Sequence, residues 1–438
     1  MATIDYEVTP GGPLEGQLRV PGDKSISHRS VILSALAQGE SRISGLLEGE
    51  DVLGTVAAFR ALGVCIEGPH EGHLRVEGVG LHGLRAPGAP LDFGNSGTAM
   101  RLMAGLLSAQ PFPCVLVGDE SLMSRPMARV ALPLRRMGAQ IDTATDGRPP
   151  LVIRGGAHLT GIRYEMPVAS AQVKSAILLA GLYAQGETTV IEPAPSRDHT
   201  ERMLAGFGYP VARAGSAVTV RGGAGPLRAG MLEVPADLSS AAFFLVAGSI
   251  VPGSRLELRR VGINPTRTGV IDILRAMGAH IRMHRETVVN GEPVADLIVE
   301  AEALHGIAVE PALVPLAIDE FPALFVAAAC AEGTTVVRGA RELRVKESDR
   351  LAVMARGLAA LGVRVEEFED GLAVTGGPLR GGVVDSGGDH RIAMAFAVAG
   401  HRAQGPVRVR DCRNVATSFP GFDGLARAAG MHIRVSAS

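Results

Sequence analysis

Apolar residues recur at helical spacing in six stretches of the chain, and each stretch begins at or close to a polar residue. The predicted helices begin near Ser27, Ser96, Ser170, Leu238, Glu320 and His390. Each helix is followed by a glycine-containing turn, a strand-like segment, a second helix and further short strands. The pattern therefore predicts six repeats of about 70 to 80 residues, each built as βαβαββ.

The second helix of each repeat ends in a short glycine-containing motif that leads into a strand. The six motifs read ALGVCIE, RMGAQID, GFGYPV, AMGAHIR, ALGVRVE and AAGMHIR. Six copies divide naturally into three plus three. A stretch rich in glycine and proline between Arg221 and Asp237 is the predicted crossing between two domains. The strand-like segment before Pro21 can pair with either half.

Length and hydrophobicity agree with two buried cores. The chain has 438 residues, of which 46% are hydrophobic, and this is too long for one ordinary core. The longest apolar runs, 241–247 and 321–331, are shorter than the roughly 20 residues that span a bilayer. The chain start lacks a charged and then apolar leader, and the four cysteines follow no disulfide or metal spacing. These features predict a cytoplasmic protein.

The charge composition excludes two classes of partner and draws attention to lysine. A net charge of −2 provides no basic surface for nucleic acid or an anionic membrane. Of 43 basic residues, only Lys24, Lys174 and Lys346 are lysines. Lysine can give up a proton when its pKa is lowered, whereas arginine stays charged. The retained lysines are therefore candidates for roles that arginine cannot fill, and the alternative is three surface lysines retained by chance.

Three familiar motifs are absent or out of context. A GxGxxG pattern at Gly78, Gly80 and Gly83 is followed by LRAPGAP rather than by a helix, which argues against a dinucleotide site. No GxxxxGK[ST] is present. His280 and His284 are spaced like metal ligands but occupy a predicted strand without a third ligand, so a surface strand is favoured.

The segment PGDKSISHRS is the first candidate for binding chemistry. Lys24, Ser25 and Arg29 come just before the first predicted helix, whose N-terminal N–H groups favour anions. The alternative is that Asp23 or Ser25 only caps the helix and Arg29 is solvated. The same theme recurs in GNSGTAMR, VASAQVKS and SGGDHRIAMAF.

The segment RVKESDR places Lys346, Glu347 and Arg350 within five positions. An acid next to a lysine, with an arginine one helical turn beyond, suits proton transfer and anion binding. A solvated, charged helix end is the alternative.

Two further segments complete the candidates. Asp319 and Glu320 directly precede a very apolar helix, where an acid acts either as a helix cap or as a general base. Arg125 lies in the loop GDESLMSRP, where a guanidinium is free to reach a ligand.

Taken together, these segments resemble the 5-enolpyruvylshikimate-3-phosphate synthase family. The similarity runs through GDKSISHR, GNSGTAMR, SRPM, SAQVKSAILLAGL, RVKESDRL, DHRIAMAF and SFPGF in the family's order, over nearly the whole chain. The residues of the motifs LRVKESDRL, SRDHTE and ATSFP resemble the second bacterial class of that family more than the first.

The resemblance implies an α/β fold of two similar domains. Each domain would contain three βαβαββ units arranged as an inside-out α/β barrel of the enolpyruvyl transferase type, with the active site in the interdomain cleft. Residues 1–20 and 238–438 would form a discontinuous domain 1, and residues 21–237 would form domain 2.

The resemblance also implies a function in aromatic amino-acid biosynthesis. The enzyme would transfer the enolpyruvyl group of phosphoenolpyruvate to the 5-hydroxyl of shikimate 3-phosphate and release phosphate through a tetrahedral intermediate. It would need no cofactor or metal. Its partners would be these two small molecules, with no nucleic acid or membrane, and it would act as a cytoplasmic monomer.

Residue roles follow from the matching motifs. Asp319 would be the base for the 5-hydroxyl, and Lys24 and Glu347 would carry protons to and from the methylene. The groups that hold phosphoenolpyruvate would be Arg125, Arg350 and Arg391, near Gly97. Shikimate 3-phosphate would be bound by Lys24, Ser25, Arg29, Ser170, Gln172, Asp319 and Lys346, with Gln172 near both substrates and Arg197 as a weaker phosphate candidate.

Four positions qualify the resemblance. Thr417 and Ala171 stand where the first bacterial class has a lysine and a serine, so the roles of those two residues do not carry over. Gly97 occupies the position where an added methyl group crowds glyphosate more than phosphoenolpyruvate, which predicts inhibition by glyphosate. Lys174 falls at a position to which the family assigns no function.

Two other functions fit the sequence less well. The enolpyruvyl transferase that acts on UDP-N-acetylglucosamine shares the fold and reaction, but it typically has a cysteine in the loop before Arg-Pro, and GDESLMSRP has none. A catalytically inactive homologue that serves as a binding protein is expected to have lost charged residues, yet Lys24, Asp319, Lys346 and Glu347 are all present.

Overall fold

The computed structural model describes residues 4–437, which fold into two compact units. Unit 1 comprises the segment that ends at Pro21, Pro235–Val288 and the segment that begins at Pro293. Unit 2 comprises Gly22–Val234 and the short segment Val289–Glu292. Within residues 4–437, no helix combines the length and the apolar character needed to cross a bilayer.

Unit 2 contains three repeats. The chain first forms two strands of unit 1, β1 (Ile4–Val8) and β2 (Glu15–Leu18). The first repeat of unit 2 consists of α1 (Lys24–Leu36), β3 (Ala37–Ser44), α2 (Glu50–Ala61), β4 (Cys65–His70) and β5 (His73–Val79). The second consists of β6 (Leu91–Asp92), α3 (Gly97–Leu107), β7 (Cys114–Val117), α4 (Glu120–Ser124), α5 (Ala128–Arg136), β8 (Ile141–Asp142) and β9 (Leu151–Ile153). The third consists of β10 (Arg163–Glu165), α6 (Ala171–Gly181), β11 (Glu187–Ile191), α7 (His199–Gly206), β12 (Val211–Ala214) and β13 (Ala217–Arg221), followed by β14 (Leu227–Arg228) and β15 (Met231–Glu233).

Unit 1 repeats the same order. Its first repeat consists of α8 (Leu238–Ile250), β16 (Arg255–Gly262), α9 (Gly269–Ala276), β17 (His280–Val289) and β18 (Glu292–Glu300). The second consists of α10 (Phe321–Cys330), β19 (Thr334–Val337), α11 (Arg350–Ala360), β20 (Arg364–Phe368) and β21 (Gly371–Thr375). The third consists of β22 (Gly382–Asp385), α12 (His390–Arg402), β23 (Val407–Arg410), α13 (Phe422–Ala428) and β24 (Ile433–Ala437).

The described residues form six separate sheets, of which five have four or five strands and one, β19-β21-β20, has three. In unit 2 the strand orders are β6-β7-β9-β8, β10-β11-β13-β12 and β14-β3-β5-β4. The first strand of each order pairs in parallel with the second, and the remaining pairs are antiparallel. This is the βαβαββ arrangement that the repeat pattern predicts, and the prediction is confirmed.

Strands that are distant in sequence complete three of the sheets. β14 and β15 pair in parallel with β3 and complete the first sheet of unit 2. In unit 1, β2 pairs in parallel with β16, and β1 inserts between β23 and β24. The strand-like segment before Pro21, for which the residue pattern leaves both partners open, thus pairs with strands from the C-terminal half of the chain.

Buried helices occupy the core of each unit. Every residue of α8 is buried, as are all but the last residue of α10 and of α12, and these three helices pack against one another. In unit 2 the corresponding helices are α1, α3 and α6. A helix that is apolar on all sides belongs inside a core. Within residues 4–437 the sheets stay open, and none closes into a barrel.

Glycine lets two of the core helices of unit 2 approach closely. A Cβ placed on Gly105 of α3 would lie 2.1 Å from the carbonyl oxygen of Ala176 in α6. No side chain fits at that separation, so this glycine sets the distance between the two helices. The same two helices carry candidate site residues at their N-termini.

Helix caps fix where the core helices begin. Ser96 and Ser170 cap α3 and α6 through their side chains, at the predicted starts. The predicted start of α1 near Ser27 is wrong, since α1 begins at Lys24 and the carboxylate of Asp23 accepts a hydrogen bond of 2.8 Å from the N–H of Ile26. Lys24, Ser25 and Arg29 therefore lie within the helix rather than before it.

Candidate active site

Unit 2 brings together charged and polar side chains from the starts of its core helices. Lys24 begins α1, and its ammonium lies 2.9 Å from a carboxylate oxygen of Asp51 in α2. Both side chains are mostly buried, with 16% of Lys24 and 7% of Asp51 exposed. The pair holds the Lys24 ammonium at a defined point near the helix N-terminus.

Hydrogen bonds connect α1 to the neighbouring helices. The Nδ1 of His28 lies 2.8 Å from Thr55 Oγ1 in α2, and its Nε2 lies 3.4 Å from Ser96 Oγ, which caps α3. Burial, reinforced by Lys24 and Arg29, lowers the pKa of His28 to about 3, while Asp23 opposes the shift. The imidazole is therefore neutral at pH 7.

We expect the free energy of unfolding to fall as the pH drops below about 6.5, where the unfolded chain binds a proton at His28 and the folded chain does not until about pH 3. The loss from this group between pH 6.5 and 5 is about 2 kcal/mol. Urea unfolding at pH 7, 6 and 5 measures it. The variant His28→Asn should show a pH dependence weaker by that amount, and an unchanged dependence would contradict the neutral-histidine interpretation.

Arg29 is buried among hydroxyl groups. Its Nε donates to Thr200 Oγ1 at 2.6 Å and its Nη2 donates to Ser175 Oγ at 2.7 Å, while Nη1 donates to the carbonyl of Ser25 at 2.9 Å. Burial lowers the pKa of Arg29 to about 10, and the nearby carboxylate of Glu201 opposes the shift. The guanidinium thus links α1, α6 and α7.

The start of α3 lies beside two arginines. A Cβ placed on Gly97 would lie 2.9 Å from Arg101 Nη1 and 3.3 Å from Arg125 Nη1. Arg125 donates to the carbonyl of Asn95 at 3.1 Å and to Ser121 Oγ at 3.0 Å, so its own loop fixes its position. The segment GDESLMSRP is not wholly irregular, because it contains the short helix α4.

The start of α6 joins the same group. Arg101 Nη1 donates to Gln172 Oε1, and Gln172 Nε2 donates to Thr98 Oγ1 at 2.8 Å. Ser170 caps α6 by accepting from the N–H of Val173 at 3.4 Å. The sequence-predicted Gly97, Arg125 and Gln172 are therefore neighbours within unit 2.

Arg197 lies in the loop between β11 and α7, close enough to Arg29 of α1 for its charge to contribute to the lowered pKa of that guanidinium. Its side chain is partly buried. The loop is tied to α6 through Lys174, which is fully buried and contacts Glu192 and Glu201 at 2.8 and 2.7 Å. Lys174, to which the resemblance assigns no role, thus lies at the centre of a buried ion-pair network.

Unit 1 places a guanidinium among three carboxylates. Arg350, 1% exposed, begins α11 and donates from Nε to Asp389 Oδ2 at 2.7 Å and from Nη2 to Glu347 Oε2 at 2.6 Å. Its Nη1 lies 3.4 Å from Asp319 Oδ1. Burial lowers the pKa of Arg350, but the carboxylates of Asp389, Glu347 and Asp319 raise it above its usual value. Arg350 therefore stays protonated and positively charged.

Asp319 also contacts a second cation. The ammonium of Lys346 lies 3.4 Å from Asp319 Oδ1, and both side chains are partly exposed, at 22% and 14%. Lys346 follows a 3₁₀ helix, Arg341–Val345, rather than an α-helical end. The sequence-predicted Asp319, Lys346, Glu347 and Arg350 thus form one cluster.

Arg391 completes the candidates of unit 1. It follows His390, the first residue of α12, and its backbone N–H donates to Asp389 Oδ1 at 2.9 Å. Within residues 4–437, the guanidinium of Arg391 makes no hydrogen bond or ion pair with another side chain, although the residue is only 8% exposed. A buried cation without a protein partner is suited to an anionic ligand.

Several residues that contact the candidates are not singled out by their sequence context. Asp51 lies in the first turn of α2, where an acid is typical of any helix. Ser175 and Thr200 look like ordinary helix residues, and Glu201 like a first-turn acid. Their partners are 27 to 171 positions away, and no local pattern reports such pairs. No group of three or more potential metal ligands occurs in the part of the chain that the structure describes.

Comparison with known proteins identifies the family of the chain. The family model for EPSP synthase (3-phosphoshikimate 1-carboxyvinyltransferase) matches residues 8–425. The chain belongs to the EPSP synthase family. The expected family, two-unit α/β fold and enzyme class are thereby confirmed.

Individual relatives agree with the EPSP synthase assignment. The 3-phosphoshikimate 1-carboxyvinyltransferases of Alkalilimnicola ehrlichii and Methylococcus capsulatus are 63% and 62% identical to the chain, over 98% and 99% of it and 96% and 99% of their own length. The solved EPSP synthase of Acinetobacter baumannii covers 99% of the chain and is itself covered completely, with 53% identity and a TM-score of 0.89.

A more distant neighbour bears on the EPSP synthase fold alone. The enolpyruvyl transferase NikO of Streptomyces tendae superposes with a TM-score of 0.81 at 20% identity, over all of both chains.

EPSP synthases act in the shikimate pathway of aromatic amino-acid biosynthesis, transferring an enolpyruvyl group from phosphoenolpyruvate to shikimate 3-phosphate. The chain is an enzyme of this kind rather than a UDP-N-acetylglucosamine enolpyruvyl transferase.

Proposed function

We propose that the chain transfers the enolpyruvyl group to the 5-hydroxyl of shikimate 3-phosphate by addition and elimination, with Asp319 as the base. The observation that carries this assignment is the cluster in unit 1, where Asp319 and Glu347 share the guanidinium of Arg350 and Asp319 also faces Lys346. Two acids held by fixed cations suit a reaction that moves two protons.

The reaction requires one proton to leave the hydroxyl and one to reach the methylene carbon. Asp319 accepts the 5-hydroxyl proton as the oxygen attacks the central carbon of phosphoenolpyruvate. The methylene gains a proton and becomes a methyl group in the tetrahedral intermediate. Loss of a proton from this methyl group and departure of phosphate then restore the double bond. We assign the proton transfers at the methyl carbon to Lys24 and Glu347.

Cations hold the two anionic substrates in this proposal. Arg125 and Arg391 bind the carboxylate and phosphate of phosphoenolpyruvate, because guanidinium groups form paired hydrogen bonds with both. Most N–H groups of Arg350 already bond to protein carboxylates, so it contributes through Nη1 and by orienting Asp319 and Glu347. The partner-free guanidinium of Arg391 supports its assignment.

Eight residues bind shikimate 3-phosphate in this proposal. They are Lys24, Ser25, Arg29, Ser170, Gln172, Arg197, Asp319 and Lys346. The hydrogen bonds of Gln172 to Arg101 and Thr98, close to Gly97, support a position near both substrates.

We expect glyphosate to inhibit the enzyme in competition with phosphoenolpyruvate, and Gly97→Ala to weaken that inhibition. The new Cβ would lie 2.9 Å from Arg101 Nη1 and 3.3 Å from Arg125 Nη1, so a guanidinium has to move. The KM for phosphoenolpyruvate should rise less than the inhibition constant. Steady-state kinetics measure both constants.

The control for this substitution is Gly54→Ala in α2, where the nearest atom to a new Cβ is 4.0 Å away. It should leave both constants unchanged. Wild-type rates that are insensitive to millimolar glyphosate would contradict the expectation.

A labelling experiment tests addition and elimination. In deuterated water with both substrates, the methylene of the product should acquire deuterium, because the intermediate methyl group loses one of three hydrogens. Proton NMR or mass spectrometry of the product measures this label. Product that forms without any deuterium at the methylene would rule out the proposed intermediate.

The proposal extends to the domain bounds, to the compartment and oligomeric state, and to the class within the family. Residues 1–20 with 238–438 and residues 21–237 act as the two functional domains. The enzyme works in the cytoplasm, which agrees with four unpaired cysteines, and it works as a monomer. It belongs to the second bacterial class, which agrees with Ala171 and Thr417. Sedimentation equilibrium tests the oligomeric state.

A further inference from the structure

Lys174 is the one lysine that the proposed mechanism does not use, and it is the most deeply buried cation of unit 2. Its side chain is 0% exposed. A buried ammonium without partners would be costly, because the interior solvates it poorly. The residue therefore has to be explained by what surrounds it.

Three oxygen atoms surround the Lys174 ammonium. They are Glu192 Oε2 at 2.8 Å, Glu201 Oε1 at 2.7 Å and the backbone carbonyl of Ser196 at 3.4 Å. An ammonium group has three N–H donors. Two of the donors bond to Glu192 and to the Ser196 carbonyl, and the ammonium also forms an ion pair with Glu201, which lies in the first turn of α7.

Two other side chains of this segment, those of Ser196 and Asp198, are also engaged. Ser196 Oγ donates to the second oxygen of Glu192. Just past Arg197, the carboxylate of Asp198 accepts from Arg202 Nε and Arg213 Nη1, both at 2.9 Å. The backbone is thus held immediately before Arg197 by Lys174 and Ser196, and immediately after it by Asp198.

The same network reaches Arg29. Ser175, which follows Lys174 in α6, lies 2.7 Å from Thr200 Oγ1, and both hydroxyl groups accept from the Arg29 guanidinium. Thr200 precedes Glu201, the second carboxylate on Lys174. The four buried charges of Lys174, Arg29, Glu192 and Glu201 balance to zero.

We propose that Lys174 is a positioning residue for shikimate 3-phosphate, which holds the 192–201 segment so that Arg197 meets the substrate phosphate. This inference rests on the proposed function, because it takes Arg197 to be a phosphate ligand. Lys174 itself does not touch the substrate. Its effect is transmitted through the carbonyl of Ser196 and through Glu192 and Glu201.

The geometry also explains why arginine does not replace this lysine. The site encloses the ammonium completely and offers three acceptors around one nitrogen. A planar guanidinium is larger and presents its donors in one plane, so it cannot fill the same space with the same contacts. Lys174→Arg should therefore fail to restore function although it keeps the charge.

A double-mutant cycle with Lys174→Met and Arg197→Gln tests the proposal. Lys174→Met should raise the KM for shikimate 3-phosphate about tenfold, with kcat and the KM for phosphoenolpyruvate within about twofold of wild type. Arg197→Gln should raise the same KM by a similar factor. The double variant should be little worse than Arg197→Gln alone, because both changes remove one interaction.

The matched control is Ile177→Ala, a buried residue one turn further along α6 that takes no part in the network. It should lower the melting temperature and leave the KM for shikimate 3-phosphate unchanged. If Lys174→Met does not fold, Glu201→Gln keeps the side-chain volume, removes one charge of the pair, and should raise that KM severalfold.

The outcomes separate this proposal from the one on which it rests. An unchanged KM in the Lys174 or Glu201 variants, or effects that multiply in the double variant, would overturn the positioning role. A KM for shikimate 3-phosphate that Arg197→Gln leaves unchanged would remove Arg197 as a phosphate ligand, and the positioning role with it. Enolpyruvyl transfer by that variant would still leave the proposed reaction intact.

Discussion

Asp319→Asn is expected to lower kcat by roughly 10²–10⁴, the range that removal of a general base typically gives. Asparagine has nearly the same shape but cannot accept the 5-hydroxyl proton. Its oxygen can still accept hydrogen bonds from Lys346 and Arg350, which lie 3.4 Å from Asp319 Oδ1. The KM values should therefore change less than kcat. Initial rates of phosphate release, with each substrate varied in turn, measure this difference.

A suitable control neutralises another acid of unit 1. Asp370 accepts a hydrogen bond of 2.8 Å from the N–H of Gly339 at a turn, and its side chain is 34% exposed. Asp370→Asn should leave kcat within about twofold of wild type, since exposed sites tolerate such changes. An Asp319→Asn enzyme with undiminished kcat would remove Asp319 as the base.

Arg350→Met is expected to lower the free energy of unfolding by about 3–5 kcal/mol, the cost of breaking a buried ion pair on one side. The substitution leaves the carboxylate of Asp389, which is 0% exposed, without its two bonds to the guanidinium. Glu347 and Asp319 lose the same partner. Urea unfolding followed by circular dichroism measures the change, and activity should be lost in parallel.

Two further variants make this result specific. Arg356→Met changes an exposed arginine of the same helix and should shift stability by less than about 0.5 kcal/mol. Adding Asp389→Asn to Arg350→Met should recover part of the loss, because asparagine still caps α12 and carries no charge. A double variant no more stable than Arg350→Met would contradict the buried-carboxylate explanation.

Local sequence patterns are sufficient to predict the repeats and most helix starts. The caps at Ser96 and Ser170 and the apolar runs after Leu238 and Glu320 are local features, and the structure confirms them. α1 begins earlier than expected because Asp23, not a later serine, provides the cap. The pairing of β1 with β23 and β24 spans the chain, so local periodicity alone cannot choose it.

In the candidate site, too, some features can be predicted from the sequence and others only from the structure. The motifs identify Asp319, Lys346 and Glu347 as candidates, and the structure brings them together around Arg350. The near-complete burial of Arg350 is invisible in the sequence, where it resembles any charged helix start. Lys174 differs from Arg350, because the scarcity of lysine in the chain already marks it as a candidate. Only the three buried oxygen atoms around its ammonium suggest a role.

The most direct test of the account is phosphate release from phosphoenolpyruvate by the wild-type enzyme with different acceptors. The account predicts release with shikimate 3-phosphate and none with UDP-N-acetylglucosamine, together with a product that carries the enolpyruvyl group on the 5-oxygen. Release with UDP-N-acetylglucosamine alone would contradict it.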